Sequence, residues 1–576
     1  MILQALTQYY DALNARGEID APGWGRPKIS YALQLRENGE LAQVIPLLHE
    51  VDAGKKKVLR PREDIHLPAA VKRTANPKSN FLWDNAAYLL GIDGKGKPDL
   101  TAKCFATAVL LHHELLDDVD SPFSHAVLAF FDTWQPAEAA QHPALVDDYD
   151  KLIAGANLVF YVNGQYPADD PAICAAWQAH YDGDSDAPKQ QCLVTGELDE
   201  IAAVHPAIKG VRDAQSSGAA LVSFNAPAFC SYGHEQNYNA PVGKHAAFAY
   251  TTALNHLLAD REHTQYIGDT TVVCWAETAE PQYTDFFSCL MGNNTQSWSD
   301  NDLSAALKHL ANSEPCQELN LDPDRAFYIL GLAPNAARLS VRFFYKNTFG
   351  ELMKNVNAHY ERLEIKRPAK APAGFLPLWQ LLAETVNQSA RDKKPSPVMA
   401  GATARAVWNN DRYPAALLNG VMLRIHADSE VNWRRAAIIK AYYLKKEDKA
   451  CPKEVLTVSL NESSTNIPYT LGRLFSVYEA VQQAANPGIN ATIKDRYFNS
   501  AAAIPATIFP ILGNLCQKHL RKLDKGLQTY YNQQICQIKD IFGETYPTRL
   551  NLPQQGSFDL GYYHQTQKRY TKKEDK

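Results

Sequence analysis

The chain has 576 residues, 45% of them hydrophobic and 21% charged; at roughly 150 residues per domain this allows two to four domains with a large buried core and excludes a wholly disordered chain. No stretch reaches the ~18 consecutive apolar residues of a membrane span, and the ten cysteines stand without CxxC spacing, which argues against a disulfide framework or a structural zinc. The formal charge of −5 hides an asymmetry: residues 421–576 hold 22 Lys and Arg against 14 Asp and Glu, while the preceding 420 residues hold 36 against 49.

The opening Met1-Ile2-Leu3-Gln4-Ala5-Leu6 lacks the pattern of a secretory leader, so a cytoplasmic protein with buried free thiols is expected. Residues 2–16 carry Leu3, Leu6, Tyr10 and Leu13 at helical spacing. Residues 29–35 and 41–45 predict a β-hairpin across Arg36-Glu37-Asn38-Gly39-Glu40, because Asn-Gly tolerates positive φ. Next comes a basic stretch, residues 55–78, with Lys55, Lys56, Lys57, Arg60, Arg62, Lys72, Arg73 and Lys78 opposed only by Glu63 and Asp64. Pro61, Pro68 and Pro77 break helical continuity there. Positive charge on exposed loops grips phosphates without reading sequence; an ordinary solvated loop has the same composition.

Residues 85–90, 102–116 and 125–131 read as helices, 158–163 as a strand ending in an Asn163-Gly164 turn, and 167–189 as a polar, loop-rich stretch. Residues 219–224 predict a strand, 244–259 a helix and 270–276 a buried strand. Residues 327–330 and 339–344 predict a strand pair across Ala333-Pro334-Asn335. From about Leu376 helical patterns dominate, with Leu471, Leu474, Phe475, Tyr478 and Val481 on one face and Ile508, Leu512, Leu515, Cys516 and Leu520 on another. Residues 366–374 and 393–397 are candidate linkers, and the tail 568–576 is expected to fray. The fold class is α+β: a mixed α/β N-terminal body with β-hairpins over residues 1–375, then a C-terminal α-helical bundle over 376–576.

Catalytic motifs are scarce. Gly91-Ile92-Asp93-Gly94-Lys95-Gly96-Lys97 has P-loop spacing, but Pro98 stands where a Mg²⁺-binding hydroxyl belongs and removes a backbone donor. His112-His113-Glu114 with Asp117, Asp118 and Asp120 offers metal-ligand types, yet no second cluster accompanies it. Leu110, Leu111, Leu115 and Leu116 read there as the core-facing stripe, with the polar residues facing solvent. GxSxG, HExxH and GxGxxG are all absent, so hydrolytic and redox readings have no anchor.

The distinctive block runs from Ala214 to Val242. It includes Leu221-Val222-Ser223-Phe224-Asn225-Ala226-Pro227-Ala228-Phe229 and Cys230-Ser231-Tyr232-Gly233-His234-Glu235-Gln236-Asn237-Tyr238-Asn239. Amides donate and accept toward base edges, and aromatics stack on a base or wedge a step; the same amides also satisfy backbone turns.

These residues resemble a known family, the large subunit of type I-C CRISPR surveillance complexes (Cascade), the Cas-eight family. The resemblance runs end to end, through Asn80-Phe81-Leu82-Trp83-Asp84-Asn85-Ala86-Ala87-Tyr88, the block above, Phe327-Tyr328-Ile329-Leu330-Gly331-Leu332-Ala333-Pro334-Asn335, Ile493-Lys494-Asp495-Arg496-Tyr497-Phe498 and Gln555-Gly556-Ser557-Phe558-Asp559-Leu560-Gly561-Tyr562-Tyr563. Trp83 departs from it, standing where a smaller residue is expected. The resemblance implies a non-catalytic subunit, without cofactor or metal, that recognises a protospacer-adjacent motif (PAM) in duplex DNA, promotes unwinding, stabilises the R-loop and recruits a helicase-nuclease. Its implied partners are target duplex, displaced single strand, crRNA-bound backbone subunits, the crRNA-processing subunit and a small helical subunit. That small subunit is expected to be made internally from about residue 422, where Met422 heads the basic portion.

On this basis Lys55, Lys56, Lys57, Lys72, Arg73 and Lys78 are expected to clamp PAM-side phosphates, with Asn76 and Asn80 beside them near base edges. Asn225, Gln236, Asn237 and Asn239, with Tyr232, are expected to read or wedge the first base pairs. Arg434, Arg435, Lys440, Lys494, Arg496, Lys518, Arg521 and Lys522 are expected to guide the displaced strand. Two alternatives stay open: a purely structural assembly subunit, and a metal-dependent nuclease acting alone through the His112–Asp120 cluster.

Overall fold

The computed structural model describes residues 1–52, 57–71, 73, 76–183, 189–292, 298–372, 374–391, 393–543 and 545–570. The chain forms two compact units, one of Tyr10–Ala203 with Cys230–Ala249, the other of Met1–Tyr9, Val204–Phe229 and Tyr250–Lys576.

The unit built on Tyr10–Ala203 carries a four-stranded sheet in the order Leu41–Pro46, Tyr31–Leu35, Asn157–Val162, Trp83–Asn85. The expected hairpin forms, with Gly39 at φ +83° and the Asn38 side-chain oxygen accepting the Glu40 N–H at 3.1 Å. The sequence does not foretell that Tyr31–Leu35 runs parallel to Asn157–Val162, with Tyr31 opposite Leu158 and Leu35 opposite Val162. Strands paired this way are apolar on both faces, and these are. Leu33, Leu35, Leu158 and Phe160 share a core with Cys104, Ala108 and Leu116 of helix Pro98–Leu116 and with Phe123, Ala126 and Phe130 of helix Pro122–Thr133. Ala32, Val159 and Trp83 face the other way and share a second core with Ile29, Ile65 and Leu67. The stretch expected to be loop-rich at 167–189 contains helix Pro171–Tyr181, started by Asp170, whose Oδ1 accepts the Ala172 N–H at 2.8 Å.

The other unit holds an antiparallel meander, Gln265–Ile267, Thr270–Ala276, Ala326–Asn335 and Arg338–Thr348. Its last turn comes later than expected, with Ala336 at φ +52° between Asn335 and Arg338. Residues 219–224 are not a strand; only Ala219 and Ala220 make isolated bridges, to Ile208 and Arg338. Val272, Cys274, Phe327 and Ile329 belong to a hydrophobic core that continues without a break to Tyr563. Residue 375 is therefore no packing boundary. Nor is 366–374 a free spacer, since the Lys366 N–H donates to Val458 O at 2.7 Å and the Tyr563 hydroxyl donates to Lys366 O at 2.6 Å.

Within this core, helix Ile467–Ala485 is buried all round from Pro468 to Val481, not on one face alone. Helices Pro505–Leu520, Lys525–Phe542 and Leu552–Tyr570 pack around it. Gly472 and Gly561 let the backbones of helices Ile467–Ala485 and Leu552–Tyr570 touch, for a Cβ at Gly472 would strike Phe558 O and one at Gly561 would strike Tyr469 O. Met422 lies buried inside helix Ala415–Asp428, so a fragment starting there would open in mid-helix. Lys568 is helical and pairs with Glu462 at 2.5 Å; residues 571–576 of the expected frayed tail lie outside the described residues. All ten cysteines are free thiols, and among the described residues no helix is long and apolar enough to cross a membrane.

Candidate nucleic-acid interface

The basic stretch is fastened by its apolar residues. Ile65 and Leu67 are buried under the sheet, and the Trp83 indole N–H donates to Pro68 O at 2.7 Å. The residue that departs from the expected family pattern thus clamps the loop that carries the charge. Lys55, Lys56 and Lys72 lie outside the described residues. Lys57 opens the exposed strand Lys57–Pro61, which pairs antiparallel with Leu48–Asp52. Its ammonium meets Glu50 at 2.8 Å, a carboxylate absent from the sequence count. Arg62 is engaged by Asp64 through two contacts, 2.8 and 2.7 Å. Arg60 and Lys78 are exposed and form no ion pair among the described residues.

Two expected contact residues are tied to neighbouring groups: Arg73, which stays exposed, and Asn80, which is buried. Arg73 donates through Nε to Lys78 O at 2.8 Å, pairs with Asp84, and lies over the Tyr88 ring at 4.1 Å. Asp84 is buried and also accepts the Asn80 N–H at 2.9 Å and the Asn85 N–H at 2.7 Å. Burial pushes the Asp84 carboxyl pKa up, and these hydrogen bonds and Arg73 oppose the push. Asn80 is buried, its side-chain oxygen accepting the Val71 N–H at 2.9 Å. Arg73 and Asn80 therefore shape the loop, and Asn76 and Lys78 are exposed on it beside Arg73. Arg73→Ala should lower stability by about 2–3 kcal/mol by stranding Asp84, whereas Lys78→Ala should stay within ~0.5 kcal/mol of wild type; urea unfolding of both variants checks this.

The Ala214–Val242 block divides between the units at Phe229 and Cys230. In the first half Arg338 organises the loop. Its guanidinium donates to the Asn225 side-chain oxygen and stacks over the Phe229 ring at 4.0 Å, while Ala220 N–H donates to Ala337 O at 3.0 Å. Sequence reasoning misses Arg338, although it stands at the turn of a predicted strand pair.

The second half is a stapled, outward loop. Asn239 accepts the Ser231 N–H at 2.8 Å and donates to His234 O at 3.0 Å and Gln236 O at 2.9 Å. Asn237 is 2% exposed and its N–H donates to Ala203 O at 3.2 Å. The Asn239 side chain and the Asn237 backbone N–H hold the loop, and the buried Asn237 side chain does not face out of it. Residues 231–236 are exposed without interruption. Tyr232 is 99% exposed, at φ +54°, and Gln236 sits at φ +46°, so two non-glycine residues hold a left-handed backbone that costs energy and persists only because the surroundings impose it. The fixed loop presents the Tyr232 ring and the Gln236 amide, with Ser231, His234 and the Glu235 carboxylate exposed beside them.

The eight expected displaced-strand residues fare differently. Arg435 is 4% exposed, bonded to Glu384 at 3.1 Å, Asp428 at 2.6 Å and Glu430 O at 2.9 Å. Lys440 is 3% exposed and donates to Arg362 O at 3.0 Å, and burial pushes its pKa down to about 8. Arg434 leans on Glu384 at 3.4 Å and on the Trp433 ring. Buried cations cannot track a strand, so Arg435 and Lys440 leave that set. Lys494 is half-buried near the Tyr562 ring, and Arg496 is exposed beside Tyr497. Lys518, Arg521 and Lys522 are exposed together around the end of helix Pro505–Leu520 and carry no ion pair among the described residues; Lys522 donates to Asn486 at 3.2 Å.

Residues 6–570 match the family described as CRISPR-associated protein (Cas_Csd1). The chain belongs to that family. No curated protein matches it. In this Cas_Csd1 protein the His112–Asp120 cluster does not assemble. His112 is fully buried, its Nδ1–H donating to Ala108 O at 2.7 Å and its Nε2 accepting the Leu82 N–H at 2.9 Å. Leu110, expected in the core, is 69% exposed. His113 pairs with Asp117 at 2.9 Å and Asp132 at 3.3 Å, and among the described residues no three His, Cys, Asp or Glu side chains are placed to hold a metal ion.

Proposed function

We propose that this Cas_Csd1 protein is the non-catalytic large subunit of a type I-C crRNA-guided surveillance complex, and that its 231–236 loop meets the PAM duplex. The reading rests on the stapled loop. Guide pairing reads the long target, so the protein need read only a few base pairs. A rigid projection that carries the Gln236 amide and the Tyr232 ring, flanked by His234 and Glu235, is suited to such a short reading. Gln236 reaches a base edge in a groove, and Tyr232 wedges the step where strands part. Because the Asn239 side chain and the Asn237 backbone N–H already fix the loop, little ordering cost is left for binding.

Lys57, Arg60, Asn76 and Lys78 supply the phosphate grip, and Arg496, Lys518, Arg521 and Lys522 hold the displaced strand. The crRNA-bound backbone subunits and the crRNA-processing subunit carry the guide. A small helical subunit, translated from about residue 422, adds surface for the displaced strand, and the open R-loop recruits the helicase-nuclease.

The test is binding of assembled complexes to a library of randomised PAM duplexes across a salt series. Gln236→Ala should relax preference at one PAM position by roughly 1–3 kcal/mol with an unchanged salt slope. Lys78→Ala should weaken all sequences alike and flatten the slope by about 0.9. If both variants merely lower general affinity, the division of roles fails.

A further inference from the structure

The unit holding the antiparallel meander has a cleft of about 390 Å³ that none of the roles above uses. Its size falls within the ~300–1,000 Å³ of small-ligand clefts. Tyr266 and Trp379 line it and are 45% and 55% exposed, a large aromatic surface to leave in water. Arg212 lies over the Tyr266 ring at 4.1 Å, which makes a flat cationic platform. Lys393 and Lys394 complete the wall, and no carboxylate lines the cleft among the described residues. Gln265, also lining it, is 6% exposed, and its Nε2 donor has no hydrogen-bond partner among the described residues.

Each feature asks for something different of a ligand. The rings ask for a flat partner and the three cations for an anion. A nucleotide of an unpaired strand supplies both, since bases stack on aromatic side chains and on arginine while the backbone meets lysines. We infer that this cleft binds one unstacked nucleotide of a single-stranded nucleic acid, with the base against Trp379 and the backbone at Lys393 and Lys394. The inference stands apart from the PAM reading and would survive the loss of any role for residues 231–236.

The test uses the full chain with fluorescein-labelled ten-nucleotide strands, (dT)10 and (U)10, read by anisotropy. Trp379→Ala should weaken binding at least ~10-fold and Trp379→Phe should restore most of it. Lys393→Ala with Lys394→Ala should flatten the salt slope by about 1.4. Strands carrying 5-iodouracil should crosslink to Trp379 or Tyr266. Because Trp379, Lys393 and Lys394 lie at the surface, these variants should keep the wild-type melting temperature. Tighter binding of (dT)10 supports the site with displaced DNA as the source, and tighter binding of (U)10 supports it with guide RNA as the source. The inference is overturned if the variants bind as wild type does, if crosslinks fall only elsewhere, or if free mononucleotides compete as well as the strands. It is also overturned if Trp379→Ala blocks assembly with a protein partner while strand binding is unchanged.

Discussion

Gly561→Ala is expected to destabilise the helical core severely, by more than ~3 kcal/mol, although alanine is the better helix former by about 1 kcal/mol. Gly561 sits where helix Leu552–Tyr570 crosses helix Ile467–Ala485, and its missing side chain is the space taken by the Tyr469 carbonyl. Gly472 plays the reciprocal part against Phe558 O and the Tyr562 N–H. A methyl group at either site meets backbone rather than a side chain that can swing away. The two helices must separate, and Phe558, Tyr562, Leu474 and Phe475 lose packing on both sides. The helix-propensity gain is too small to offset that loss. Thermal unfolding should show a drop of several degrees or an insoluble product for Gly561→Ala, while Gly526→Ala on the exposed start of helix Lys525–Phe542 should be tolerated. Equal melting temperatures for Gly561→Ala and wild type would refute the close crossing.

Lowering the pH from about 6.5 to 4 should destabilise the fold through histidines buried in their neutral form. His112, His205 and His564 have pKa values pushed down to about 4 by burial, and His359 to about 3 by burial with Arg362 nearby. All four are engaged as neutral rings. His112 bridges Ala108 O and the Leu82 N–H, while the others bond tyrosine hydroxyls: His205 to Tyr250 and His359 to Tyr413, both at 2.7 Å, and His564 to Tyr469 at 2.9 Å. A second proton on His112 would point an N–H at the N–H of Leu82. The unfolded chain takes up these protons near pH ~6.5 and the folded chain only near 4 or below, so the stabilisation is complete above ~6.5 and falls steadily beneath it. One such group is worth roughly 3 kcal/mol by pH 4. Asp559 and Asp84, whose pKa values burial raises, act in the opposite sense, as does His263, where burial is outweighed by Asp260 and Asp285, which raise the pKa; His66, His426 and His519, which burial lowers, add to the four. Urea midpoints should fall between pH 7 and pH 4.5, and a flat profile would show that these rings are not buried neutral.

The parts of the fold written in local chemistry are legible in the sequence. Asn38-Gly39 marks the hairpin, and the strands Thr270–Ala276 and Ala326–Asn335 announce themselves as apolar runs. Helix Pro171–Tyr181 is hidden because Pro171 reads as a breaker, when after Asp170 it is a starter, capped and needing no N–H. His112 misleads for a similar reason. Cys104, Ala108, His112 and Leu116 recur every four residues and are all buried, but the adjacent leucine pairs point to another face. Nothing local reports a partner far along the chain. Arg435 and Lys440 look like surface charge until Glu384 and the Arg362 carbonyl are beside them, and the tie that holds Arg73 depends on Asp84. The amides and aromatics of the distinctive block are legible as a group, yet only the fold separates the buried Asn237 and the staple Asn239 from the exposed Tyr232 and Gln236.

The central claim is that the 231–236 loop lies at the point where target strands part. A photo-crosslinking amino acid at position 232, in complexes assembled on PAM-containing duplex, tests it most directly. Crosslinks to the base pairs that adjoin the PAM are the predicted result; efficient target binding with crosslinks only to protein, or to DNA far from the PAM, would contradict it.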